Sequence, residues 1–473
     1  MFETEGMADK KSKIQSGKLK RSLAVSFAGI RAGGALAIDG AWQRLRPGND
    51  GDHAFESPFA KREARRFVAE LGRLKGTYVK IGQMFALLGE HFLSPVLTEA
   101  LHELESQTEP LPWDSIAPQI KSELGDRYTE LAIEKRAIAA ASLAQVHRAT
   151  IVETGEEICL KVQYPGLAEV IDSDFDTVVR MLLLARWIKS GRELDAWLES
   201  MRVQLHYEID YLREAQMTEQ VGHLVAESAA KRSGSGFSYR VPALYSRYCS
   251  GRILAMEYVD GLLVTRSEVS KLSQKRRNAL GRSMLELFFY ELYQWGVLQT
   301  DPNFGNYLIK PGKSGGADEL VLLDFGSTMS CDDDFLRHLG NTIAAGQSND
   351  MALLLESLIG LGCLRPDSAK EARETFAELC FQLLEPLRPP DKLPAEYLNA
   401  KGEYSWGRSR LMRRVGKHAA TSAATRHFTT PSREFAMIAR KLTGVFTFIA
   451  VLNAEFNASD IVQSHIDRWR EEA

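Results

Sequence analysis

Two short polar segments in the second half of the chain contain residues that could hold a metal ion and a phosphate group. Residues 299–306 read QTDPNFGN, in which Asp301 precedes Asn306 by five positions. Asp324 opens an Asp-Phe-Gly sequence directly after an apolar stretch that is typical of a strand. Carboxylate and amide oxygens suit Mg²⁺, which phosphoryl transfer needs between the β- and γ-phosphates. Either segment alone is more typical of a surface turn, but their order and spacing predict the metal-binding half of a kinase-like site.

The three side chains would have different roles at such a site. Asn306 and Asp324 are the candidate metal ligands, and Asp301 lies where it could orient the nucleophile. The site would also need a lysine that reaches the α- and β-phosphates and a glutamate that holds this lysine in place. Candidates for both residues lie earlier in the chain.

The segment from residue 137 to residue 165 contains the candidate lysine. Its pattern predicts a strand, a turn of small residues, a second strand, a tight turn and a third strand, and Lys161 lies on the third strand. An exposed lysine on a surface strand is the alternative. No G-x-G-x-x-G loop is present to cover the phosphates. Its place is taken by four small residues, namely Ala139, Ala140, Ala141 and Ser142.

A helix predicted over residues 201–224 contains the candidate glutamate. Glu208, Asp210 and Glu214 all lie in its first half. The spacing leaves open whether Glu208 or Glu214 pairs with Lys161, because both lie on the same predicted helix. A solvated acidic helix face is the alternative interpretation.

The residues between this helix and the segment at 299–306 are predicted to form the remaining strands of a smaller, kinase-like lobe. Residues 241–244 and 253–261 are predicted to form the last strands and a connector to the larger lobe. The backbone N–H and C=O groups of such a connector bind adenine, so Glu257 and Val259 are candidate nucleotide-binding positions. Residues beyond Ser330 are helical by pattern.

The N-terminal part of the chain is predicted to be helical after a basic tail. Residues 1–21 are polar and rich in lysine, which predicts a disordered tail, with attraction to an anionic membrane as the alternative. Apolar residues recur at helical spacing over residues 67–88, which predicts one long helix. On this pattern alone Lys80 and Gln83 are solvated polar residues of that helix.

Composition and charge exclude several classes of protein. The chain has 473 residues, 44% of them hydrophobic and 26% charged, as in an ordinary soluble globular protein of more than one domain. A net charge of -3 argues against nucleic-acid binding. The five cysteines form no CxxC pair and predict reduced thiols in a cytosolic protein. Neither a secretory signal nor a membrane span of ~18 apolar residues is predicted.

Together these motifs resemble those of the UbiB/AarF atypical kinase-like family, in particular its mitochondrial-type branch, which supports ubiquinone synthesis. The resemblance extends from about residue 20 to about residue 450. Residues 80–83 resemble the family's K-x-G-Q motif, residues 139–142 its alanine-rich replacement for the glycine loop, and residues 208–210 its E-x-D motif. The sequence at 299–306 is the form found in the mitochondrial-type branch, whereas Ala144 stands where a glycine is common.

The resemblance implies roles for the candidate residues. It implies that Glu214 pairs with Lys161, that Asp301 is the catalytic aspartate, and that Asn306 and Asp324 hold Mg²⁺. It also implies that the K-x-G-Q helix folds over the nucleotide. The residues of that regulatory contact are Lys80 and Gln83, which approach the phosphates, and the E-x-D acids Glu208 and Asp210.

The resemblance implies an α+β, protein-kinase-like bilobal fold with an added N-terminal helical region and a largely helical C-terminal lobe. The predicted organisation is a disordered tail over 1–21, a helical extension over 22–124, a small lobe over 125–260 and a large lobe over 261–473.

Three function classes follow from the resemblance and the motifs. The favoured one is an ATPase, or a kinase of a small molecule or lipid, that uses ATP and Mg²⁺ to support ubiquinone biosynthesis. The alternatives are a protein kinase and a nucleotide-binding regulatory pseudokinase. The expected partners are nucleotide, isoprenoid or quinone-precursor lipids and quinone-biosynthesis proteins, without nucleic acid. The predicted location is cytoplasmic, with peripheral contact at the inner face of the membrane.

Overall fold

The computed structural model of the chain describes residues 58–74, 76–88, 93–102, 104, 109–185, 187–188, 194–231, 237–312, 316–423 and 432–472. The predicted basic tail lies outside these residues. The chain divides into two compact units. The first comprises residues 1–216 and 243–258, and the second comprises residues 217–242 and 259–473.

The first unit combines a helical part with an antiparallel sheet of four strands in the order β1-β2-β3-β5. Its strands are β1 (Leu131–Ala140), β2 (Ala144–Ile151), β3 (Glu157–Gln163) and β5 (Ile253–Glu257). Its helices are α1 (Pro58–Leu74), α2 (Thr77–Leu88), α3 (Pro95–His102), α4 (Trp113–Leu124), α5 (Leu167–Leu184) and α6 (Leu194–Tyr207).

The long N-terminal helix predicted from the apolar stripe is divided into α1 and α2. Gly76, between them, has a φ of 61°, a left-handed conformation that ends a helix. The apolar residues of both helices are nevertheless buried in one core, where the ring of Phe67 lies 5.2 Å from that of Trp187. The stripe therefore predicted the buried face correctly but missed the break.

The helix predicted over residues 201–224 is also divided, into α6 and α7 (Tyr211–Lys231). Asp210 causes the new start, because its carboxylate Oδ1 accepts the backbone N–H of Arg213 at 3.0 Å, as a helix N-cap does. The Nε2 atom of Gln163 donates to the carbonyl of Ile209 at 2.5 Å and so satisfies one backbone group of the break. The E-x-D motif is therefore the junction between two helices.

The second unit is mainly helical and has two small sheets, in the orders β4-β8-β7 and β6-β9. The strands are β4 (Phe237–Arg240), β6 (Leu298–Gln299), β7 (Tyr307–Lys310), β8 (Asp318–Leu322) and β9 (Thr328–Met329). The helices that begin in it are α8 (Ser267–Ser270), α9 (Gln274–Tyr293), α10 (Asp333–Ser348), α11 (Met351–Gly360), α12 (Lys370–Leu383), α13 (Trp406–Ser409), α14 (Leu411–Ala423), α15 (Arg433–Val451) and α16 (Ser459–Glu472).

One strand within the range of the predicted small lobe, β4, pairs with β8 and not with the four-stranded sheet. Residues 241–244 were expected to be a strand, but the strand β4 ends at Arg240 and pairs in parallel with β8 of the second unit. Pro242 has no backbone N–H, which disfavours a strand over residues 241–244. Only Leu244 forms an isolated bridge, to Met256 of β5.

Candidate active site

Lys161 and Glu214 form a close ion pair in the first unit. The Lys161 Nζ atom lies 2.7 Å from Oε1 and 2.9 Å from Oε2 of Glu214, so the ammonium contacts both carboxylate oxygens. The glutamate side chain is only 2% exposed, whereas 21% of the lysine side chain remains exposed. The ring of Tyr211, with its centre 5.1 Å from Nζ, lies against the ammonium. The glutamate thus anchors a lysine that still reaches the surface.

Two neighbouring elements fix the positions of this pair. Lys161 lies in the middle of β3, where its backbone is paired with Val146 of β2 and Leu254 of β5. Glu214 lies in the first turn of α7, which Asp210 caps, and an acid is favourable near the positive end of a helix. Of the two glutamates that sequence spacing left open, Glu214 is therefore the partner of Lys161.

Glu208 pairs with a different lysine, Lys80 of α2. The Lys80 Nζ atom lies 2.6 Å from Glu208 Oε1, with the two side chains 17% and 23% exposed. A side chain at Gly82 would collide with Leu104, so the glycine allows α2 to pack closely. Lys80 is thus a paired residue, contrary to the expectation from helical pattern alone, while Gln83 lies half-buried one turn further on.

The alanine-rich turn is shorter than predicted. Ala139 and Ala140 are the last residues of β1, paired with Val146 and Gln145, so the turn comprises only residues 141–143. The N–H of Ala141 donates to the carbonyl of Ala144 at 2.8 Å and closes this turn. Alanine favours the extended conformation over the left-handed one, so the strand continues where glycines would end it. Ser142 lies in the turn and is largely buried.

The two predicted adenine-binding positions belong to different units. Glu257 ends β5 of the first unit, and its N–H donates to the carbonyl of Ala243 at 2.8 Å. Its carbonyl accepts a long hydrogen bond from the Cys159 thiol at 3.9 Å. Val259 is assigned to the second unit.

Asp301 and Asn306 are in direct contact in the second unit. The Asn306 Nδ2 atom donates to Asp301 Oδ2 at 3.1 Å and to the Asp301 carbonyl at 3.3 Å. The side chain of Asn303 accepts the N–H of Gly305 at 2.9 Å and holds the intervening turn. Because the amide nitrogen faces Asp301, Asn306 Oδ1 is the atom suited to face a cation.

Two hydrogen bonds to backbone carbonyls connect residues 299–306 to the segment that contains Asp324. The N–H of Leu323 donates to the carbonyl of Asn306 at 3.0 Å, and the Nε2 atom of Gln299 donates to the carbonyl of Asp324 at 3.1 Å. Asp324 Oδ1 accepts the N–H of Gly326 at 3.0 Å. The structure therefore brings together the two segments that contain Asp301, Asn306 and Asp324.

The chemistry of these side chains fits a divalent cation of the magnesium type. An amide oxygen and a carboxylate are hard ligands, and Mg²⁺ is commonly held by one or two protein groups together with phosphate oxygens and water. Within the described residues there is no cluster of three or more His, Cys, Asp and Glu side chains that would form a complete protein cage.

One charged residue of this site was missed by the sequence analysis. The Nη2 atom of Arg440, on α15, lies 3.3 Å from Asp301 Oδ1. Its guanidinium neutralises the carboxylate and restricts its orientation. The available signal was the pair Arg440 and Lys441, two adjacent cations inside an otherwise apolar helical stretch.

A sheet lysine paired with a helix glutamate, and an Asp–Asn–Asp set on two connected turns, define the class as kinase-like nucleotide-binding proteins. Residues 103–358, more than half of the chain, match the model of the ABC1 atypical kinase-like domain. The chain therefore belongs to the ABC1 (UbiB) family of atypical kinases, which confirms the resemblance found in the sequence. Membership implies kinase-like or ATPase chemistry with a nucleotide and a divalent metal.

Curated relatives match most of the chain. The chain is 28% identical to the atypical kinase COQ8B, mitochondrial, of Rattus norvegicus, over 97% of this chain and 82% of that protein. It is also 28% identical to the probable serine/threonine-protein kinase abkA of Dictyostelium discoideum, over 86% and 71% of the two chains. The yeast Saccharomyces cerevisiae contributes a further relative, the atypical kinase COQ8, mitochondrial, at 26% identity over 68% and 62%.

A solved structure has a similar fold. The protein Rv3197 of Mycobacterium tuberculosis, solved in complex with erythromycin, matches with a TM-score of 0.56 and 21% identity. The match covers 88% of this chain and 98% of that one. It confirms the predicted kinase-like α+β fold.

The comparisons contradict the predicted location. Relatives from rat, Caenorhabditis elegans and two yeasts are named mitochondrial, so the prediction of a cytoplasmic protein is wrong. Reduced cysteines, on which that prediction depended, do not distinguish one reducing compartment from another. Among the helices that the structure describes, none has the length and apolar character needed to cross a membrane.

Proposed function

We propose that this protein binds MgATP and either hydrolyses it or transfers its γ-phosphate to a small molecule or lipid, in support of ubiquinone biosynthesis. The observation that carries the proposal is the bidentate pair of Lys161 and Glu214, in which a buried carboxylate holds a partly exposed ammonium. This arrangement suits a lysine that contacts the α- and β-phosphates.

The remaining residues have the roles that phosphoryl transfer requires. Asn306 and Asp324 would hold Mg²⁺, which neutralises the charge that develops on the phosphates. Asp301 orients the hydroxyl or water that attacks, and Arg440 fixes the direction in which the Asp301 carboxylate points. Positioning and charge neutralisation supply most of the rate enhancement in this class of reaction.

The short connection after Asp324 favours a small acceptor or water over a protein substrate. The helix α10 begins at Asp333, only seven residues after Gly326, and β9 occupies part of that interval. Protein kinases use a longer activation segment, ending in A-P-E, at this place to dock a peptide. No A-P-E sequence follows Gly326 in this chain.

The link to ubiquinone is inferred from the family. The resemblance is to the branch that supports ubiquinone synthesis, and the relatives named COQ8 belong to that branch. Isoprenoid or quinone-precursor lipids, and the proteins that modify them, are the partners that this role would require.

A protein kinase and a regulatory pseudokinase are the two alternative functions, and one experiment distinguishes them from the proposed function. A protein kinase is favoured by the name of the Dictyostelium discoideum relative. A regulatory pseudokinase would bind nucleotide without turnover. The experiment measures ATP hydrolysis with and without phenolic or isoprenoid ligands, and, in parallel, phosphate transfer to generic protein substrates. Ligand-stimulated hydrolysis or labelled lipid supports the proposal, whereas labelled protein or nucleotide binding without turnover contradicts it.

Asp324→Asn is the variant that tests the metal ligand. It should abolish MgATP turnover and the Mg²⁺-dependent part of thermal stabilisation by ATP. Asp332→Asn is the matched control, because Asp332 caps α10 through a 2.8 Å hydrogen bond from Phe335 N–H and asparagine is an equally good cap. Undiminished hydrolysis in Asp324→Asn would remove the metal assignment.

A further inference from the structure

A lysine without an assigned role is completely buried next to residues 299–307, which contain Asp301 and Asn306 and which we call the catalytic segment. Lys441, on α15, is 1% exposed. Its Nζ atom donates to Gln299 Oε1 at 2.7 Å and to the Tyr307 hydroxyl at 2.6 Å, and lies 3.2 Å from Glu291 Oε2. The ammonium thus donates hydrogen bonds to oxygens on β6 and β7 and lies within ion-pair distance of a carboxylate oxygen on α9.

The partners of Lys441 lie immediately beside the predicted catalytic and metal-binding residues. Gln299 precedes Asp301 by two residues, and Tyr307 directly follows Asn306. The Tyr307 hydroxyl also donates to Gln299 Oε1 at 2.8 Å, which closes the network across the two ends of the segment.

The same network reaches the second metal-binding segment. While Gln299 accepts from Lys441 through Oε1, its Nε2 atom donates to the carbonyl of Asp324 at 3.1 Å. One turn further along α15, Gly444 packs so closely on Pro302 that a side chain there would collide with the proline ring. The helix α15 therefore contacts the catalytic segment at both ends and at its middle.

We propose that Lys441 is a positioning residue, which holds Asp301, Asn306 and Asp324 in register through Gln299 and Tyr307, with Glu291 as its counter-ion. This proposal rests on the proposed function, which gives those three residues their catalytic and metal-binding roles. Lys441 itself does not touch the nucleotide or the reacting atoms in this proposal.

The burial of this charge supports a role beyond packing. Removing a charged pair from water is costly, and an apolar pair of similar volume is often at least as stable. Burial raises the pKa of Glu291 to about 7 and lowers the pKa of Lys441, which shows the cost of placing both groups in the core. What the pair provides is a set of directed hydrogen bonds to two residues of the catalytic segment.

A double substitution separates this role from simple stability. In Glu291→Leu/Lys441→Met the pair is replaced by apolar side chains, so no unpaired charge is left in the core. We expect a folded protein in which kcat for ATP turnover falls about 10²-fold, because catalytic groups lose their register, while KM for ATP stays within about threefold. Amide hydrogen exchange over residues 299–307 should accelerate.

A second ion pair in the same unit, with a buried carboxylate and a partly exposed arginine, is the matched control. Arg414 donates to both oxygens of Glu385, at 2.9 and 2.6 Å, and Tyr404 donates to the same carboxylate at 2.8 Å. This network also consists of a cation, a carboxylate and a tyrosine, but Arg414 bonds to Ser409 instead of the catalytic segment. In Glu385→Leu/Arg414→Met, kcat and the exchange over 299–307 should remain at the parent values.

Tyr307→Phe provides a milder test, since it removes one partner of Lys441 and keeps the ion pair. We expect kcat to fall about tenfold, with a smaller increase of exchange at 299–307. Parent-like kcat and exchange in the folded Glu291→Leu/Lys441→Met variant, or equal losses in the control, would overturn the proposal. If the parent itself neither hydrolyses ATP nor transfers its phosphate to a small molecule or lipid, the proposed function fails, but the exchange comparison still decides whether Lys441 positions the segment.

Discussion

Two of the lysine–glutamate pairs among the described residues, one in each unit, differ in their surroundings. In the pair of Lys161 and Glu214 only the carboxylate is buried, and the ammonium keeps 21% of its surface exposed. In the pair of Lys441 and Glu291 both partners are buried, and the ammonium bonds to two further protein oxygens. The exposure of the cation, more than the presence of the pair, therefore distinguishes a lysine suited to bind phosphate from a lysine that stabilises the fold.

The largest expected difference between the pairs is in stability. Lys441→Met should lower the free energy of unfolding by about 3–5 kcal/mol, because it leaves the carboxylate of Glu291 buried without a counter-ion. Lys161→Met should cost less although Glu214 is also buried, because 21% of the lysine side chain is exposed and water can enter beside the carboxylate. Urea denaturation of both variants and the parent measures the two losses. Equal losses would mean that exposure of the cation does not distinguish the pairs.

For the affinity for MgATP, in contrast to stability, the substitution of Lys161 should have a larger effect than the substitution of Lys441. Lys161→Met should weaken MgATP binding by about 10- to 150-fold, which corresponds to the loss of a charge-assisted hydrogen bond worth about 1.5–3 kcal/mol. Isothermal titration calorimetry measures the affinity. The control is Lys135→Met, at an exposed lysine of β1. If both variants bind MgATP like the parent, Lys161 is not a phosphate ligand.

The pH dependence of stability should separate Lys441→Met from the parent. Burial raises the pKa of Glu291 to about 7 from an ordinary value of 4.5, so stability is lost as pH rises through this interval. The Lys441 charge opposes this increase, and without it the pKa of Glu291 should rise further. The stability gap between variant and parent should therefore widen above pH 7, by about 1.4 kcal/mol per pH unit.

Free energies of unfolding measured by denaturation between pH 6 and pH 9 check this prediction. In Glu291→Leu/Lys441→Met the widening should be absent, because the buried carboxylate is gone. A constant gap for Lys441→Met over the whole interval would contradict the proposed environment of Glu291.

In the pair of Lys80 and Glu208 neither partner is fully buried, so this pair should show the smallest effect. Lys80→Ala should lower the free energy of unfolding by at most about 1 kcal/mol, since partly solvated ion pairs contribute little. Chemical denaturation measures this change. A loss above about 2 kcal/mol would place this pair with the buried pair of Lys441 and Glu291.

Local spacing was sufficient to predict some of these features. The positions of Lys161, Asp301, Asn306 and Asp324 follow from short motifs, whose residues lie close together in sequence and whose residue types follow from phosphate and metal chemistry. The strand β8, which ends two residues before Asp324, was predicted for the same reason, since its apolar residues lie directly before the motif.

Other features depend on partners that are distant in the chain. The partners of Lys441 are more than 130 residues away, so no local pattern reveals that this lysine is buried. The strand β4 is defined by its pairing with β8, about 80 residues later. Helix breaks at Gly76 and Asp210 were missed because apolar periodicity continues across both breaks, although a glycine and a capping aspartate mark them.

The turn between β1 and β2 has a consequence for the thermodynamics of nucleotide binding. A turn built from alanine and serine has fewer accessible backbone states than a glycine-rich one, and here the strand ladder continues up to its edge. In the proposed nucleotide complex, little conformational entropy is lost when a triphosphate binds against this turn. Association should consequently have a smaller entropic penalty than in kinases whose glycine loop becomes ordered around the ligand.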